Sequence, residues 1–289
     1  MINEFIISKI AFKSLICEVS ATPKPGLVDL IDSGSHKDMN YLTFIKSSVA
    51  ISDYFKKAYL LGIKNYKFED FIELREEGKF AEIEMYKATE DVNTHKGIIF
   101  SLGLLVYATG IQKSLGDISS FSIVNRVKSL CSNITEELNN DLNTAGGLQY
   151  KKYGLKGIRN EAEEGFEKAL TVGLYNFKRY IHTLSFNDAI VNTLMHFMEI
   201  LDDSNLIKRG GLCGLNFAKE SASKAIELGS MNTNKGRAYI ANLNKEFIEK
   251  NLSPGGSADY IILTLYFYFL EELWLTIEKL FPKLIKKIL

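Results

Sequence analysis

The sequence predicts an all-α protein, on three observations. Apolar residues recur at spacings of three and four through every long segment, runs with a two-residue alternation bounded by turns are absent, and the segments are separated by short clusters of Gly, Pro, Asp, Asn and Ser. No fixed-period repeat and no Ser/Pro/Gly linker divides the 289 residues. The expectation is one compact domain over 1–289, of roughly a dozen helices joined by short polar loops.

Taken in order, Phe5, Ile6, Ile10, Ile16 and Cys17 predict an amphipathic helix over 2–19, followed by a loop from Ser20 to Met39. Leu42, Ile45, Val49, Phe55 and Tyr59 predict one helix over 40–62, stopped by Gly62. The charged stretch 68–90 reads as two helices broken near Gly78. Asn93 and Thr94 are cap residues for a helix to about Ile111, whose start, GIIFSLGLLVYATG, is apolar all round and belongs in the core. Short helices over 119–133 and 135–142 precede an irregular Gly-rich stretch, 143–157. Helices over 159–171 and 186–201 follow, and Gly210 and Gly211 separate a polar loop from a helix over 212–228. After a polar helix over 235–251, SPGGS breaks the chain before a long apolar helix over 258–280 and a basic tail.

Lys plus Arg and Asp plus Glu are 35 each. No global field therefore recruits nucleic acid or an anionic membrane, and an anionic ligand needs a local cationic cluster. Three scattered cysteines, Cys17, Cys131 and Cys213, argue for a reducing compartment and against a disulfide framework or zinc site. The N-terminal segment carries Glu4, Lys9, Lys13 and Glu18, unlike a signal peptide. The apolar run Tyr260–Leu270 is too short to span a bilayer. A cytoplasmic protein is expected; its apolar last helix permits a homodimer without requiring one.

Polar residues with chemical potential concentrate in a few stretches. SATPKPGLVDLIDSGSHKDM, Ser20 to Met39, is stiffened by Pro23 and Pro25 and decorated beyond the needs of a turn. Its Asp29, His36 and Asp38 suit a hard cation or a proton transfer, and Lys24 suits a phosphate. Asn93-Thr94-His95-Lys96 opens a helix with basic residues that oppose the helix dipole unless an anion sits there. Asp203 and Asn205 suit Mg²⁺, and Arg209 beside Gly210 and Gly211 suits phosphate. In Gly255-Gly256-Ser257 the glycines admit close approach of a phosphate and Ser257 suits a helix cap, while Asp259 lies one turn into an apolar helix. Arg159 and Glu161 stand where an irregular stretch becomes a helix and fit either a ligand or an ion pair with each other. His182, His196 and the cysteines read as structural. From residues alone this is an all-α enzyme for a phosphate-rich ligand, with Mg²⁺ as cofactor.

The motifs TPKPGLVD with GSHKDM, NTHKG before an apolar helix, GIRNEAEEGF, the DSN…RGG pair and SPGGSADY, in this order from about Glu18 to Asp259, resemble the triphosphoribosyl-dephospho-CoA synthase family. Asn160 stands where that family has glycine, and LQYKKYG replaces its TH-G element. The resemblance implies transfer of the 5-triphosphoribosyl group of ATP to the 2′-hydroxyl of 3′-dephospho-CoA with release of adenine, as a single inverting displacement at ribose C1. The product is the prosthetic-group precursor of citrate lyase or malonate decarboxylase, passed on to a holo-acyl-carrier-protein synthase. On this reading Asp29, Asp38, Asp203, Asn205 and Asp259 serve Mg²⁺ or transition-state charge, and His36 or one of the carboxylates is the base. Lys24, His95, Lys96 and Arg209 hold phosphates, and Arg159 and Glu161 position the second substrate. Two alternatives are another nucleotide-dependent glycosyl transferase or N-glycosidase on the same scaffold, and a non-enzymatic all-α binding protein. The last predicts that the polar loops scatter; the enzyme readings predict one cleft.

Overall fold

The computed structural model describes residues 2–66, 71–139, 150–152, 154–155 and 157–280, and among them there are helices and no strand. The α-helices are α1 Glu4–Ser20, α2 Tyr41–Ala50, α3 Ser52–Lys64, α4 Ile72–Ala88, α5 Lys96–Leu115, α6 Ser120–Leu130, α7 Gly157–Glu163, α8 Tyr175–Ile181, α9 Phe186–Ile200, α10 Ser204–Glu227, α11 Asn234–Glu249 and α12 Gly255–Leu280. A π-helical turn, Ala169–Leu174, leads into α8. The irregular stretch 143–157 and the basic tail lie largely outside the described residues.

Side-chain caps start half of these helices. Asn3, Ser119, Ser185 and Thr233 accept backbone N–H groups at the starts of α1, α6, α9 and α11, and Asn40 forms a capping box with Thr43 at α2. α5 is buried on almost every side. It is long and apolar enough to cross a membrane by composition, but protein encloses most of it. α3, α4, α6 and α12 pack around it. At the α3–α5 crossing a β-carbon on Gly62 would lie 2.1 Å from the Tyr107 carbonyl oxygen, and one on Gly110 2.2 Å from that of Tyr59, so glycine sets this backbone approach. Thr109 Oγ1 and Tyr266 Oη, 2.8 Å apart, tie α5 to α12 inside the core.

Four expectations are corrected. The helix over 40–62 is two helices, divided at Ile51. Of the stretch 68–90, the described residues 71–90 hold one helix, α4, with Gly78 buried inside it. The polar segment before Gly210 is helical: α10 starts at Ser204 and is only kinked at Gly211 (φ 62°, ψ −161°). The helix over 159–171 ends at Glu163 and gives way to turns and the π-helical segment.

Candidate active site

A cavity of about 890 Å³ lies where the first turns of α5, α7, α10 and α12 meet the Ser20–Met39 loop. Helix N-termini carry unpaired N–H groups and a positive dipole end, so their convergence favours an anionic ligand. His36, Asp38, Asn93, Thr94, His95, Lys96, Arg159, Glu161, Asp203, Asn205, Arg209, Gly255, Gly256 and Asp259 all line it. The stretches expected to share a cleft do so, and the scatter required of a binding scaffold is not observed.

The loop itself is pinned from behind by α11. Asn244 accepts the Gly26 N–H (2.8 Å) and donates to Asp32 (2.9 Å), while the Ser35 hydroxyl donates to the carbonyls of Phe247 (3.0 Å) and Leu252 (2.6 Å). Asp29 belongs to this scaffolding. It accepts the N–H groups of Ile31 (2.7 Å), Asp32 (3.0 Å) and Lys24 (3.2 Å), and is not among the lining residues. Lys24 is also behind the wall: its ammonium donates to the Glu18 carbonyl (2.8 Å) and pairs with the Glu18 carboxylate. The lining residue is Glu18, in the last turn of α1.

Asp203 closes a junction between two helices. Its carboxylate caps α10 through the Asn205 N–H (2.9 Å) and reaches the start of α12 through the Ser257 N–H (2.9 Å) and hydroxyl (3.2 Å). Ser257 is therefore a donor inside the first turn of α12, not its cap. The two glycines make room: a β-carbon on Gly256 would lie 3.1 Å from the Asp203 carboxyl, and one on Gly255 2.7 Å from Asn205 Nδ2. Burial pushes the Asp203 pKa up, opposed by the donors from Ser257, Asn205 and Gly256. Gly210 and Gly211 are absent from the lining; Gly210 abuts Leu252 instead.

Asp259 differs from the other carboxylates. No hydrogen bond or ion pair reaches it among the described residues, and it lies between α12 and the first turn of α5. Burial, then the charges of Asp203 and Glu18, hold its pKa well above the usual carboxylate value. Burial also raises Glu18, against the pull of Lys24. Glu18, Asp203 and Asp259 thus form one acidic side of the cavity.

The opposite character gathers at the start of α10. Lys208 is exposed there, and Arg209 donates to the Ser35 carbonyl (2.9 Å) and to Asn251 Oδ1 (2.8 Å). Lys208 adjoins Arg209 in the sequence, where the motif draws attention to Arg209 alone. His36 stands against Arg209, with Nε2 2.9 Å from the Ser253 hydroxyl and Nδ1 3.8 Å from Asp38. Burial and the Arg209 charge lower its pKa to about 4, outweighing Asp38, so it is a weak base at neutral pH. Lys96 lines the cavity at its edge, but its ammonium pairs with Glu82 on α4 (2.8 Å). Arg159 and Glu161 do not pair with each other: Arg159 lies 3.7 Å from Glu137, and Glu161 accepts from the Tyr260 hydroxyl and Lys168 (3.0 Å). His196 meets Tyr180 (2.8 Å) away from the lining, consistent with a structural role.

The chain matches the CitG family, ATP:dephospho-CoA triphosphoribosyl transferase, over residues 5–277. It is 37% identical over 286 residues to a protein of Streptococcus equi subsp. equi named probable 2-(5''-triphosphoribosyl)-3'-dephosphocoenzyme-A synthase, covering 92% of this chain and 97% of the relative. A Lactiplantibacillus plantarum protein with the same name is 37% identical over 273 residues, covering 90% and 95%. No solved structure matches. A family match across nearly the whole chain, together with relatives of that name covering nine-tenths of it or more, makes this chain a transferase belonging to the ATP:dephospho-CoA triphosphoribosyl transferase family.

Proposed function

We propose that the chain transfers the 5-triphosphoribosyl group of ATP to the 2′-hydroxyl of 3′-dephospho-CoA and releases adenine, in a single inverting displacement at ribose C1. The observation that carries this reading is the division of one cavity into an acidic side, Glu18, Asp203 and Asp259, and a cationic rim, Lys208 and Arg209. Breaking an N-glycosidic bond creates an oxocarbenium-like centre, which negative charge stabilises. The triphosphate attached to the same ribose needs cations and is not cleaved. A site with both characters side by side suits a cationic carbon tethered to an anionic tail.

Asp259 is the base that takes the acceptor hydroxyl proton. It is a carboxylate that protein donors leave open, and burial with its acidic neighbours raises its proton affinity, while burial and Arg209 lower that of His36. Asp203, locked between two helix N-termini, and Glu18, balanced by Lys24, supply fixed negative charge behind it. Lys208 and Arg209 hold the triphosphate. Arg159, which also lines the cavity, meets the second substrate.

Mg²⁺ enters with ATP. Among the described residues no group of three or more His, Cys, Asp or Glu side chains could cage a metal alone. Asp29 and Asp203 turn their oxygens to backbone N–H groups and do not fit as ligands. Asp38 and Asn205, exposed at the rim, fit a cation already held by phosphates. When bound, that ion neutralises triphosphate charge. The product is the prosthetic-group precursor for the acyl carrier of citrate lyase or malonate decarboxylase, made in the cytoplasm and handed to a holo-acyl-carrier-protein synthase.

Adenine release from Mg-ATP with and without 3′-dephospho-CoA tests this function. Release only with the acceptor is expected. Equal release without it makes the chain an N-glycosidase.

A further inference from the structure

His95 precedes α5, is only 2% exposed, and lines the cavity. Its Nδ1 lies 2.7 Å from the Ser47 hydroxyl, while its Nε2 is buried and has no hydrogen-bond partner among the described residues. A buried polar atom without a partner costs free energy, and one at a cavity wall points to a ligand group that completes it.

The hydroxyl chain behind the ring fixes which nitrogen carries the proton. Thr94 Oγ1 donates to Ser47 Oγ at 2.6 Å. The Ser47 proton is then directed to His95 Nδ1, the remaining hydrogen-bond partner of that hydroxyl. Nδ1 therefore accepts, and in a neutral ring the proton resides on Nε2. Burial keeps the ring neutral by lowering its pKa to about 3. Phe44 packs edge-on against it, ring centroids 5.1 Å apart, and the neighbouring cation, Lys96, is engaged by Glu82. This corner offers an uncharged donor beside an aromatic edge, which suits a flat neutral base better than a triphosphate.

We infer that His95 presents an Nε2–H to a ring nitrogen of the leaving purine, and that Ser47 is the positioning residue that sets this tautomer. The inference rests on the triphosphoribosyl-transfer reading. As the C1–N9 bond breaks, its electron pair moves onto the purine, and the acceptor oxygen forms the new bond to C1. The hydroxyl proton passes to Asp259 and ends on adenine. His95 keeps its own proton and stabilises the charge growing on the purine, as a neutral imidazole donor can. This replaces phosphate binding as the role of His95.

The test begins with nitrogen-15 NMR of histidine-labelled protein, which has only four histidines. His95 is expected as the Nε2–H tautomer in the wild type, and Ser47→Ala should mix the two forms. Removing the donor with His95→Ala should lower kcat by about 100-fold, as for loss of one donor to developing charge. Ser47→Ala should lower kcat by a smaller factor with KM for ATP unchanged, and Ser47→Thr, which keeps the hydroxyl, should recover activity. Of 3-deaza-ATP and 7-deaza-ATP, one should slow the wild type strongly yet slow His95→Ala no further, and the same analogue should fail to move the His95 Nε2 resonance on binding. An Nδ1–H tautomer in the wild type, an unchanged tautomer and kcat in Ser47→Ala, or equal slowing of wild type and His95→Ala by both analogues would overturn the inference. The tautomer and the resonance shift need no turnover. A wild type that binds ATP without transferring its ribose would therefore sink the reaction and not the His95–purine contact.

Discussion

A β-carbon placed on Gly97 would stand 2.5 Å from Oδ2 of Asp259. The missing side chain in the first turn of α5 is the space that the carboxylate at the start of α12 occupies. Gly97→Ala should therefore separate stability from activity. Alanine raises helix propensity by about 1 kcal/mol, so Tm should hold or rise. The carboxylate must move, and displacing a catalytic group by about 1 Å costs about 100-fold in rate. Adenine-release kinetics beside thermal unfolding read both effects. Wild-type kcat in this variant would mean that the contact does not place Asp259 for chemistry.

Asp259→Asn tests the base itself. Adenine release should fall by about 10²–10⁴-fold, the usual worth of a positioned general base. The wild-type pH profile should rise through a pKa above the ordinary carboxylate range, because burial, Asp203 and Glu18 favour the protonated form. Stability runs the opposite way. A carboxyl whose folded pKa is raised contributes fully below its unfolded pKa and loses that contribution as pH climbs through the folded one. A permanently neutral Asn does not ionise, so the variant's Tm should exceed wild type at pH 8 and approach it at pH 4.

The two cations of α10 should respond differently. Lys208 is exposed, so Lys208→Ala should raise KM for ATP with Tm unchanged. Arg209 also bridges the Ser35 carbonyl and Asn251, so Arg209→Ala should raise KM and lower Tm together. Unchanged KM in both variants would move the triphosphate away from this rim.

Lys24→Ala separates a structural role from a phosphate-binding one. Removing one member of a buried ion pair costs about 3–5 kcal/mol, because its partner is left charged and desolvated. Urea unfolding should show a loss of that size. Full stability with a raised KM for ATP would instead return Lys24 to the binding site.

The helices are legible where local chemistry decides them: the apolar run of α5 can only be core. The caps are less so, for Asn93 and Thr94, expected to cap α5, give way to His95, which holds the N-cap position without a side-chain cap bond, and Asn93 only accepts the Lys96 N–H at 3.3 Å. The break at Ile51 was not legible, because it carries neither Gly nor Pro. Gly78 reads as a break but is buried inside α4, where a β-carbon would lie 3.6 Å from Tyr54 Oη, so tertiary packing overrides propensity. The site was legible as clusters of polar residues, not as roles. Asp29 and Asp259 are equal as letters; only the fold turns one to backbone N–H groups and the other toward the cavity. Glu18 and Ser47 give no signal, because each lies among other polar residues of its helix and nothing in the sequence sets it apart.

The most direct measurement is mass spectrometry of the product formed from ATP, Mg²⁺ and 3′-dephospho-CoA. The account predicts dephospho-CoA enlarged by an intact triphosphoribosyl group, with one adenine released per product. A product bearing only a phosphoryl or adenylyl group, with ADP or pyrophosphate released and adenine still attached to its ribose, would contradict it.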